Sequence, residues 1–396
     1  MTDATLAHVR DELRRADLDA WLIYDFRGTN PIARRVLDLD AGLLSRRIFA
    51  LVPREGVPRL LVSRLEIGSL RAPAFNVRAY GGRAELEREL RALLPAGGRV
   101  AMEFSPRADL PYVSHVDAGT VQWLGALLAE TGGTLHGSAD LLQSFAAWTP
   151  AQVAAHREAA DAVMEVLEGA WAAIDARLAA GETVRETEVQ AHVADAFDAR
   201  GLTYAHRAIV GFGPNGGDPH YVPRPGEDRA LAPGDPILID LFARRPEAGA
   251  PYADVTWMGV YGAPDPAFVA AWEAVRDARE VGVATLRAAF AEGRPIQGWE
   301  VDRAVRTHLT DAGFGEAFVH RTGHSLGSEH THGDAVHFDD FETFDTREVR
   351  PDLGLTIEPG VYLPAFGVRS ELDVLITDAG VEVTTGRQTD LRVVGG

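Results

Sequence analysis

Cysteine is absent from the 396 residues of this sequence. A thiol nucleophile, a disulfide framework and a cysteine-bound zinc site are therefore excluded. Lysine is absent as well, because all 39 basic residues are arginine. Without lysine the chain cannot form a lysine Schiff base, anchor pyridoxal phosphate or supply the phosphate-binding lysine of a P-loop. These two absences exclude several enzyme classes before any motif is considered.

Long apolar runs and a basic charge balance are also missing. No apolar run reaches the roughly 18 residues of a membrane-spanning helix, and the first residues show no apolar stretch typical of a signal peptide. We therefore expect a cytoplasmic protein without a membrane partner. The formal net charge of -19 disfavours nucleic acid as a partner, since no basic stripe is present to replace counterions on phosphates.

Two domains are predicted, a smaller N-terminal α/β domain over residues 1–147 and a catalytic domain over residues 148–396. Thr149 can cap a helix that begins at Pro150, which places a boundary near this point. In the first domain, short apolar runs alternate with segments of helical period. Its strands are predicted at 21–24, 48–52, 59–62 and 99–102, with a helix around Leu86 to Leu93 and another over 117–130.

The second domain contains an internal repeat. Residues 181–201 align without gaps on residues 293–313, and five positions are identical. In each copy a long amphipathic helix precedes the aligned segment and a β-rich segment follows it. We therefore predict an α+β fold with pseudo-two-fold symmetry, whose helices cover one face of a mainly antiparallel sheet. The identical pairs are Gly181/Gly293, Glu188/Glu300, Val189/Val301, Val193/Val305 and Gly201/Gly313.

Four acidic residues accompany the apolar strands of this repeat. Asp240 and Asp254 flank a segment with the proline and glycine of a hairpin loop, and Glu358 and Glu371 recur in a similar hairpin of the second copy. A single acidic residue at a strand end is usually solvated. If four carboxylates were buried together without counter-charge, burial and mutual repulsion would raise their pKa values until some of them became neutral. Two divalent cations would balance the four charges and activate water for hydrolysis.

A histidine completes the predicted metal site. The imidazole ligand is best assigned to His324, because flanking glycines let the backbone approach a crowded site. Four oxygen donors and one imidazole form a fairly hard ligand set. The predicted cofactor is therefore a pair of divalent ions, with Mn²⁺ favoured and Co²⁺, Zn²⁺ or Fe²⁺ as alternatives.

These residues lie in strings that resemble a known family. PHY at 219–221, ILIDLFAR, ADVTW, TGHSLG, TIEPGVY and GVRSE are similar to the pita-bread metallopeptidases, which include prolidase, aminopeptidase P, methionine aminopeptidase and their non-metal relative creatinase. The resemblance covers 150–396 well and the N-terminal domain more loosely. Methionine aminopeptidases generally lack that domain, and creatinase lacks this metal set. The resemblance thus implies cleavage before proline in Xaa-Pro dipeptides by a prolidase, or in longer peptides by an aminopeptidase P, and a homodimer.

The resemblance also implies a role for each metal ligand. Asp254 and Glu371 would bridge both ions. Asp240 would bind one ion, and His324 together with Glu358 would bind the other.

Catalytic residues carry over from the same strings. Glu358 would accept a proton from the attacking nucleophile and pass it to the departing nitrogen. His220, in the PHY string, would contact the substrate or stabilise the tetrahedral intermediate. Arg369 and Tyr362 would orient ligands and substrate near the metal ions.

One departure from the family pattern concerns a second catalytic histidine. The family usually places it at the position that Thr331 occupies here, and His330 and His332 flank that position. We predict His332, which fits if one residue is inserted before it, and keep His330 as the reserve. His320 and His337 are assigned to positions behind the ligands or at the surface.

Two other functions compete with a metallopeptidase. Residues 323–327, GHSLG, satisfy the G-x-S-x-G pattern of a serine hydrolase, which needs a strand before it and a helix after it. The residues that follow have no apolar helical period, and no histidine occurs after His337. A non-catalytic binding module on the same fold is the second alternative. It is disfavoured because all five predicted ligands are present.

Overall fold

The computed structural model describes residues 1–37, 40–41 and 45–395. Contacts divide the chain into two compact units, residues 1–145 and 146–396. The predicted boundary between residues 147 and 148 falls close to this division. Within the described ranges, no helix is both long enough and apolar enough to cross a lipid bilayer.

A mixed six-stranded sheet forms the centre of the first unit, and two short strands, β2 and β5, pair separately. The eight strands described in this unit are β1 (Ala20–Phe26), β2 (Asp40–Ala41), β3 (Arg47–Pro53), β4 (Arg59–Ser63), β5 (Leu70–Arg71), β6 (Asn76–Tyr80), β7 (Arg99–Met102) and β8 (Thr134–Gly137). The helices are α1 (Asp3–Arg15), α2 (Pro31–Leu37), α3 (Arg83–Leu93), α4 (Ala118–Ala129) and α5 (Ala139–Gln143). The strand order is β6-β4-β3-β1-β7-β8, with antiparallel pairs at β1–β3 and β3–β4 and parallel pairs elsewhere.

Strand β1 shows why the apolar run at its centre is continuous. Trp21 and Ile23 pack in a core on one face of the sheet, together with Val9 of α1. Leu22 packs in a separate core on the other face, together with Leu90 of α3. Helices therefore cover both faces, which is the arrangement that favours an uninterrupted apolar strand over an alternating one. The predicted α/β character of this unit is confirmed.

Within its described residues, 146–395, the second unit contains three sheets and four long helices. Its helices are α6 (Pro150–Ala179), α7 (Glu186–Ala199), α8 (Pro266–Ala291) and α9 (Gly298–Asp311). Its strands are β9 (Ile209–Phe212), β10 (Pro236–Arg244), β11 (Tyr252–Tyr261), β12 (Leu353–Ile357), β13 (Gly360–Leu363), β14 (Phe366–Arg369), β15 (Leu372–Thr377), β16 (Gly380–Val383) and β17 (Arg392–Val394). The sheets are β17-β11-β10-β9, β12-β15-β16 and β13-β14, and every pair except β11–β17 is antiparallel. Helix α6 packs on β10 and β11, whereas α8 packs on the strands of the second copy.

The identical residues of the repeat occupy matched structural positions. Gly181 and Gly293 each follow the long first helix of their copy, with positive φ values of 74° and 63° that favour glycine at a helix end. Glu188 and Glu300 each accept a hydrogen bond of 2.8 Å from a backbone N–H at the start of the second helix. The paired valines are buried. The predicted repeat is confirmed, and its identities serve the fold.

The helix predicted to begin at Pro150 has the expected cap. The backbone N–H of Gln152 donates to Thr149 Oγ1 at 3.3 Å, and the Gln152 side chain accepts from the Thr149 N–H at 2.9 Å. These two reciprocal hydrogen bonds satisfy two backbone N–H donors that have no partner within the first helical turn.

A buried histidine on α6 links this helix to two strand regions. His156 Nδ1 lies 2.9 Å from the carbonyl oxygen of Tyr252, and its Nε2 lies 2.7 Å from Thr384 Oγ1. A neutral ring satisfies both contacts, because one nitrogen donates and the other accepts. Burial lowers the pKa of His156 to about 4, although the bond to Tyr252 acts in the opposite direction.

This histidine predicts a loss of stability in acid. The unfolded chain binds the proton with a pKa of about 6.5 and the folded chain with one near 4, so protonation favours unfolding. The stabilisation is present above about pH 6.5 and is lost as the pH falls toward 4, by at most about 3 kcal/mol. Urea unfolding across this window should show a shallower decline for His156→Gln than for the wild type. His192→Gln, at an exposed site on α7, should follow the wild type, and equal declines in all three proteins would contradict the assignment.

Candidate active site

Asp240 and Asp254 lie on the adjacent antiparallel strands β10 and β11. The register pairs Asp240 with Thr256 and Phe242 with Asp254, so the two aspartates are diagonal neighbours on one face. Ile239, which alternates with Asp240, packs in the core beneath α6 and α7. Because side chains alternate along a strand, both carboxylates point away from that core.

Glu358 and Glu371 are held differently from the two aspartates. Strand β12 pairs with β15, and β13 pairs with β14, in the same continuous register. The pairing is interrupted between these two pairs of strands. The glutamates occupy facing positions at this break. Glu358 thus follows the last residue of β12, whereas Asp240 lies inside β10, which continues to Arg244.

His324 lies on a segment that runs antiparallel beside strand β12, where Ser325 pairs with Leu355. A Cβ at Gly323 would lie 2.1 Å from the carbonyl oxygen of Thr356, so only glycine fits this close approach. His324 Nδ1 lies 2.9 Å from the carbonyl oxygen of Ser325. This contact assigns the proton to Nδ1 and directs the lone pair of Nε2 into the site. Burial lowers the pKa of His324 well below its usual value, which keeps the ring neutral.

The five predicted ligands line one cavity of about 430 Å³. Ligand atoms of Asp254, His324 and Glu371 lie within 4.8 Å of one another. His324 Nε2 is 3.7 Å from Asp254 Oδ2 and 3.5 Å from Glu358 Oε1. Asp240 lines the same cavity and is buried, as are Asp254, His324 and Glu371. Residues from distant stretches of the chain thus meet in one pocket.

The cluster carries more negative charge than its surroundings neutralise. Burial raises the pKa values of Asp254 and Glu371 well above their usual range, and neighbouring carboxylates add to the effect. Burial also raises the pKa of Glu358 to about 7. The Arg369 guanidinium donates to Asp240 Oδ2. One buried oxygen on each of Asp240, Asp254 and Glu371 accepts no hydrogen bond within the described part of the chain.

Divalent cations fit this donor set. Unpartnered carboxylate oxygens lie beside a neutral imidazole whose lone pair faces them, and these are the ligand types that divalent metal ions prefer. Cations would also relieve the charge crowding that raises the carboxyl pKa values.

Residues 154–378 match the model of a protein family described as metallopeptidase family M24, and this match covers more than half of the chain. The chain belongs to metallopeptidase family M24. Both the pita-bread fold and the predicted family are therefore confirmed.

Relatives of this M24 chain include proteins that are named as dipeptidases. The probable dipeptidase PepE of Mycobacterium bovis is 34% identical over 242 residues, which span 58% of this chain and 59% of that relative. The chain thus spans about three fifths of the curated relatives that it matches first. The solved dipeptidase PepE from Mycobacterium ulcerans has a TM-score of 0.67 and 27% identity, covering 99% of this chain and 97% of that chain. The Xaa-Pro dipeptidase from Bacillus anthracis has a TM-score of 0.59 and 20% identity, covering 99% of both chains, and shows the fold alone.

Four histidines of the M24 chain border the cavity in addition to His324, namely His206, His220, His330 and His332. The ring of His332 packs against His324 with centroids 4.1 Å apart, and Arg321 Nη2 lies 3.2 Å from its Nδ1. His220 and His330 are exposed and line the same cavity. The structure therefore brings His220 and both candidates for the second catalytic position to the ligands, with His332 packed on one of them.

Arg369 and Tyr362 are joined behind the ligands. Arg369 Nη1 donates to Tyr362 Oη at 2.9 Å, and the same oxygen lies 2.9 Å from His320 Nε2. Burial raises the pKa of Tyr362 to about 12. His337 Nδ1 accepts from the Ser325 N–H at 3.0 Å. Arg369 lines the cavity, whereas Tyr362, His320 and His337 support the groups that do.

Two residues that contact the ligands were missed in the sequence. Thr256 Oγ1 donates to Glu371 Oε2 at 2.7 Å and accepts from Arg369 Nε at 3.0 Å. Asp373 Oδ2 accepts from the Asp254 N–H at 2.9 Å, and burial raises the pKa of Asp373 well above its usual range. Each lies two residues after a predicted ligand. Extending the two-residue period of a strand beyond those ligands would have found both.

The serine hydrolase alternative has no support in the M24 chain. The Ser325 hydroxyl is buried and donates to the carbonyl oxygen of Ala335 at 3.2 Å. Residues 328–331 form bends, and no helix begins there. A nucleophile elbow needs an exposed hydroxyl on a strand-to-helix turn, and neither condition is met.

Proposed function

We propose that the chain is a dinuclear metal-dependent dipeptidase that hydrolyses the peptide bond before proline. The main support is the convergence of four carboxylates and one neutral imidazole in a single cavity. The ligands would be Asp240, Asp254, His324, Glu358 and Glu371, with Mn²⁺ preferred and Co²⁺, Zn²⁺ or Fe²⁺ as alternatives. Paired divalent cations held there would polarise the scissile carbonyl and lower the pKa of water.

The residues around the ligands supply proton transfer and charge stabilisation. Glu358 is partly exposed to the cavity, so it can accept a proton from the attacking water and return it to the departing proline nitrogen. His220 and His332 face the cavity from separate loops and would donate hydrogen bonds to the developing oxyanion, where a donor contributes about 3 kcal/mol. Arg369 holds Asp240 and Thr256 in place by direct hydrogen bonds.

A dipeptide is the favoured substrate for two reasons. Two similar proteins, from Mycobacterium bovis and Mycobacterium ulcerans, are named a probable dipeptidase and a dipeptidase. The cavity of about 430 Å³ is near the lower end of the range for small-molecule pockets, which suits a short peptide. Aminopeptidase P activity on longer peptides is the alternative, and an X-prolyl aminopeptidase from Caenorhabditis elegans shares the fold. A homodimer and a cytoplasmic location stay predictions.

A substrate panel tests this proposal. With Mn²⁺ supplied, we expect an Ala-Pro dipeptide to be cleaved at least about tenfold faster than Ala-Pro-Ala and Ala-Ala, a ratio that one well-formed pocket can supply. A chelator should abolish the activity, and a serine-directed phosphonate should leave it unchanged. Faster cleavage of Ala-Pro-Ala would favour the aminopeptidase P alternative. Cleavage of Ala-Ala alone would refute the preference for proline, and bound Mn²⁺ without any cleavage would favour a binding module.

A further inference from the structure

Glu186 is a fully buried carboxylate in the first turn of α7 that the proposed mechanism does not use. Its Oε1 accepts hydrogen bonds from the Phe212 N–H at 2.7 Å and from Asn215 Nδ2 at 3.0 Å. Its Oε2 accepts from Tyr221 Oη and from the Arg229 N–H, both at 2.7 Å. Four donors on one buried carboxylate make it an anchor whose removal leaves several polar groups unpaired.

All four donors belong to one stretch of chain, residues 212–229, and His220 lies inside it. Tyr221, which follows His220 directly, is one of the donors. The His220 backbone N–H donates to Asp218 Oδ1 at 3.0 Å, whereas its imidazole makes no hydrogen bond to any described residue. The place of the His220 ring therefore depends on where this stretch of chain is held.

The opposite side of the same stretch packs against the hairpin that leads to Glu371. A Cβ at Gly367 on β14 would lie 1.7 Å from the carbonyl oxygen of Gly216, so the two backbones are in direct contact. Arg369 Nη1 also lies 3.4 Å from the carbonyl oxygen of Pro219. Residues 212–229 are thus fixed between α7 and the ligand-bearing strands, and a shift at Glu186 would move His220 relative to the ligands.

We propose that Glu186 is a positioning residue that holds the His220 imidazole at the substrate cavity. This inference rests on the proposed function, in which His220 stabilises the oxyanion. The gap-free alignment of the repeat places Gly298 at the position that corresponds to Glu186. Glu186 therefore has no carboxylate counterpart at the matched position of the second copy and does not belong to the identities that the two copies share.

The first test replaces Glu186 by glutamine. Because a misplaced oxyanion donor is felt mainly in the transition state, we expect Glu186→Gln to lower kcat on Ala-Pro by about 10- to 100-fold with little change in KM. Bound Mn²⁺ should stay at the wild-type level. Glu188→Gln is the matched control, because Glu188 lies in the same helical turn but bonds Arg185 and Arg177 instead. Its kcat should stay within about twofold of the wild type.

A double-mutant cycle then separates positioning from general stability. In a His220→Ala background, Glu186→Gln should lower kcat by no more than about a further twofold. Equal losses in both backgrounds would show that Glu186 does not act through His220 and would overturn the inference. Tyr221→Phe removes one of the four donors and provides the same cycle if Glu186→Gln does not fold.

A readout without turnover distinguishes this inference from the proposed function. In protein labelled with ¹³C at histidine Cε1, the His220 signal is identified by its absence from His220→Ala. It should shift in Glu186→Gln and Tyr221→Phe but not in Glu188→Gln, and an unchanged signal in the first two would overturn the inference. If the wild type with Mn²⁺ cleaves no proline peptide, the proposed function fails while the signal still decides the positioning role.

Discussion

Replacing Asp254 by asparagine is expected to remove bound metal and to lower kcat/KM on Ala-Pro at least about 10³-fold. The loss follows because paired ions supply several kcal/mol of transition-state stabilisation and each 1.36 kcal/mol is a factor of ten. Asp254 is one of the two predicted bridging ligands, and its Oδ1 is buried without a donor in the described chain. Metal content after gel filtration and steady-state kinetics measure the two losses.

The same substitution should not weaken the metal-free fold. Burial, together with the nearby Glu371 and Asp240 carboxylates, raises the pKa of Asp254 well above its usual range. A neutral amide removes this repulsion, so metal-free Asp254→Asn should melt at or above the wild-type temperature. The increase in melting temperature that Mn²⁺ gives to the wild type by binding the folded state should be lost.

Asp373→Asn is the matched control for this pair of measurements. Asp373 is also a buried carboxyl with a strongly raised pKa, but it accepts from the Asp254 backbone and does not line the cavity. An asparagine resembles its protonated form, so Mn²⁺ binding and most activity should remain. Retention of both ions in Asp254→Asn, or equal metal loss in the two variants, would contradict the assignment of Asp254 as a bridging ligand.

Local patterns were sufficient to predict much of this fold. The cap at Thr149, the glycines after the repeated helices and the continuous apolar run of β1 each depend on neighbours in sequence, and each was found in place. Strand β6 was missed because its short alternating pattern carries only one buried residue, Tyr80. The metal ligands could be proposed from the sequence because hairpins and a glycine-flanked histidine are recognisable without knowledge of long-range pairing.

What the sequence did not reveal depends on contacts between distant segments. The interrupted pairing at Glu358 and Glu371 follows from a register that no local pattern encodes. The anchor at Glu186 is likewise invisible in sequence, because its four donors come from a segment without regular period. A buried carboxylate at a helix start looks the same in sequence as an exposed capping residue.

Replacing His332 by alanine is expected to lower kcat at least about 100-fold while both metal ions remain bound, the loss typical of one oxyanion donor. The His332 ring packs on His324 at 4.1 Å, and Arg321 Nη2 lies 3.2 Å from its Nδ1. A guanidinium only donates, so Nδ1 must accept and the proton must reside on Nε2. The ring is therefore a neutral donor, and its Nε2–H can donate a hydrogen bond to a developing oxyanion.

His330 provides the matched control for this last prediction, because it lines the same cavity two residues earlier but is exposed and makes no side-chain hydrogen bond to a described residue. His330→Ala should keep kcat within about threefold of the wild type, the range of an independent site. His332→Gln keeps a donor near the position of Nε2 and should recover part of the activity that alanine loses. If His330→Ala loses turnover and His332→Ala keeps it, His330 is the catalytic group and the predicted insertion before His332 is wrong.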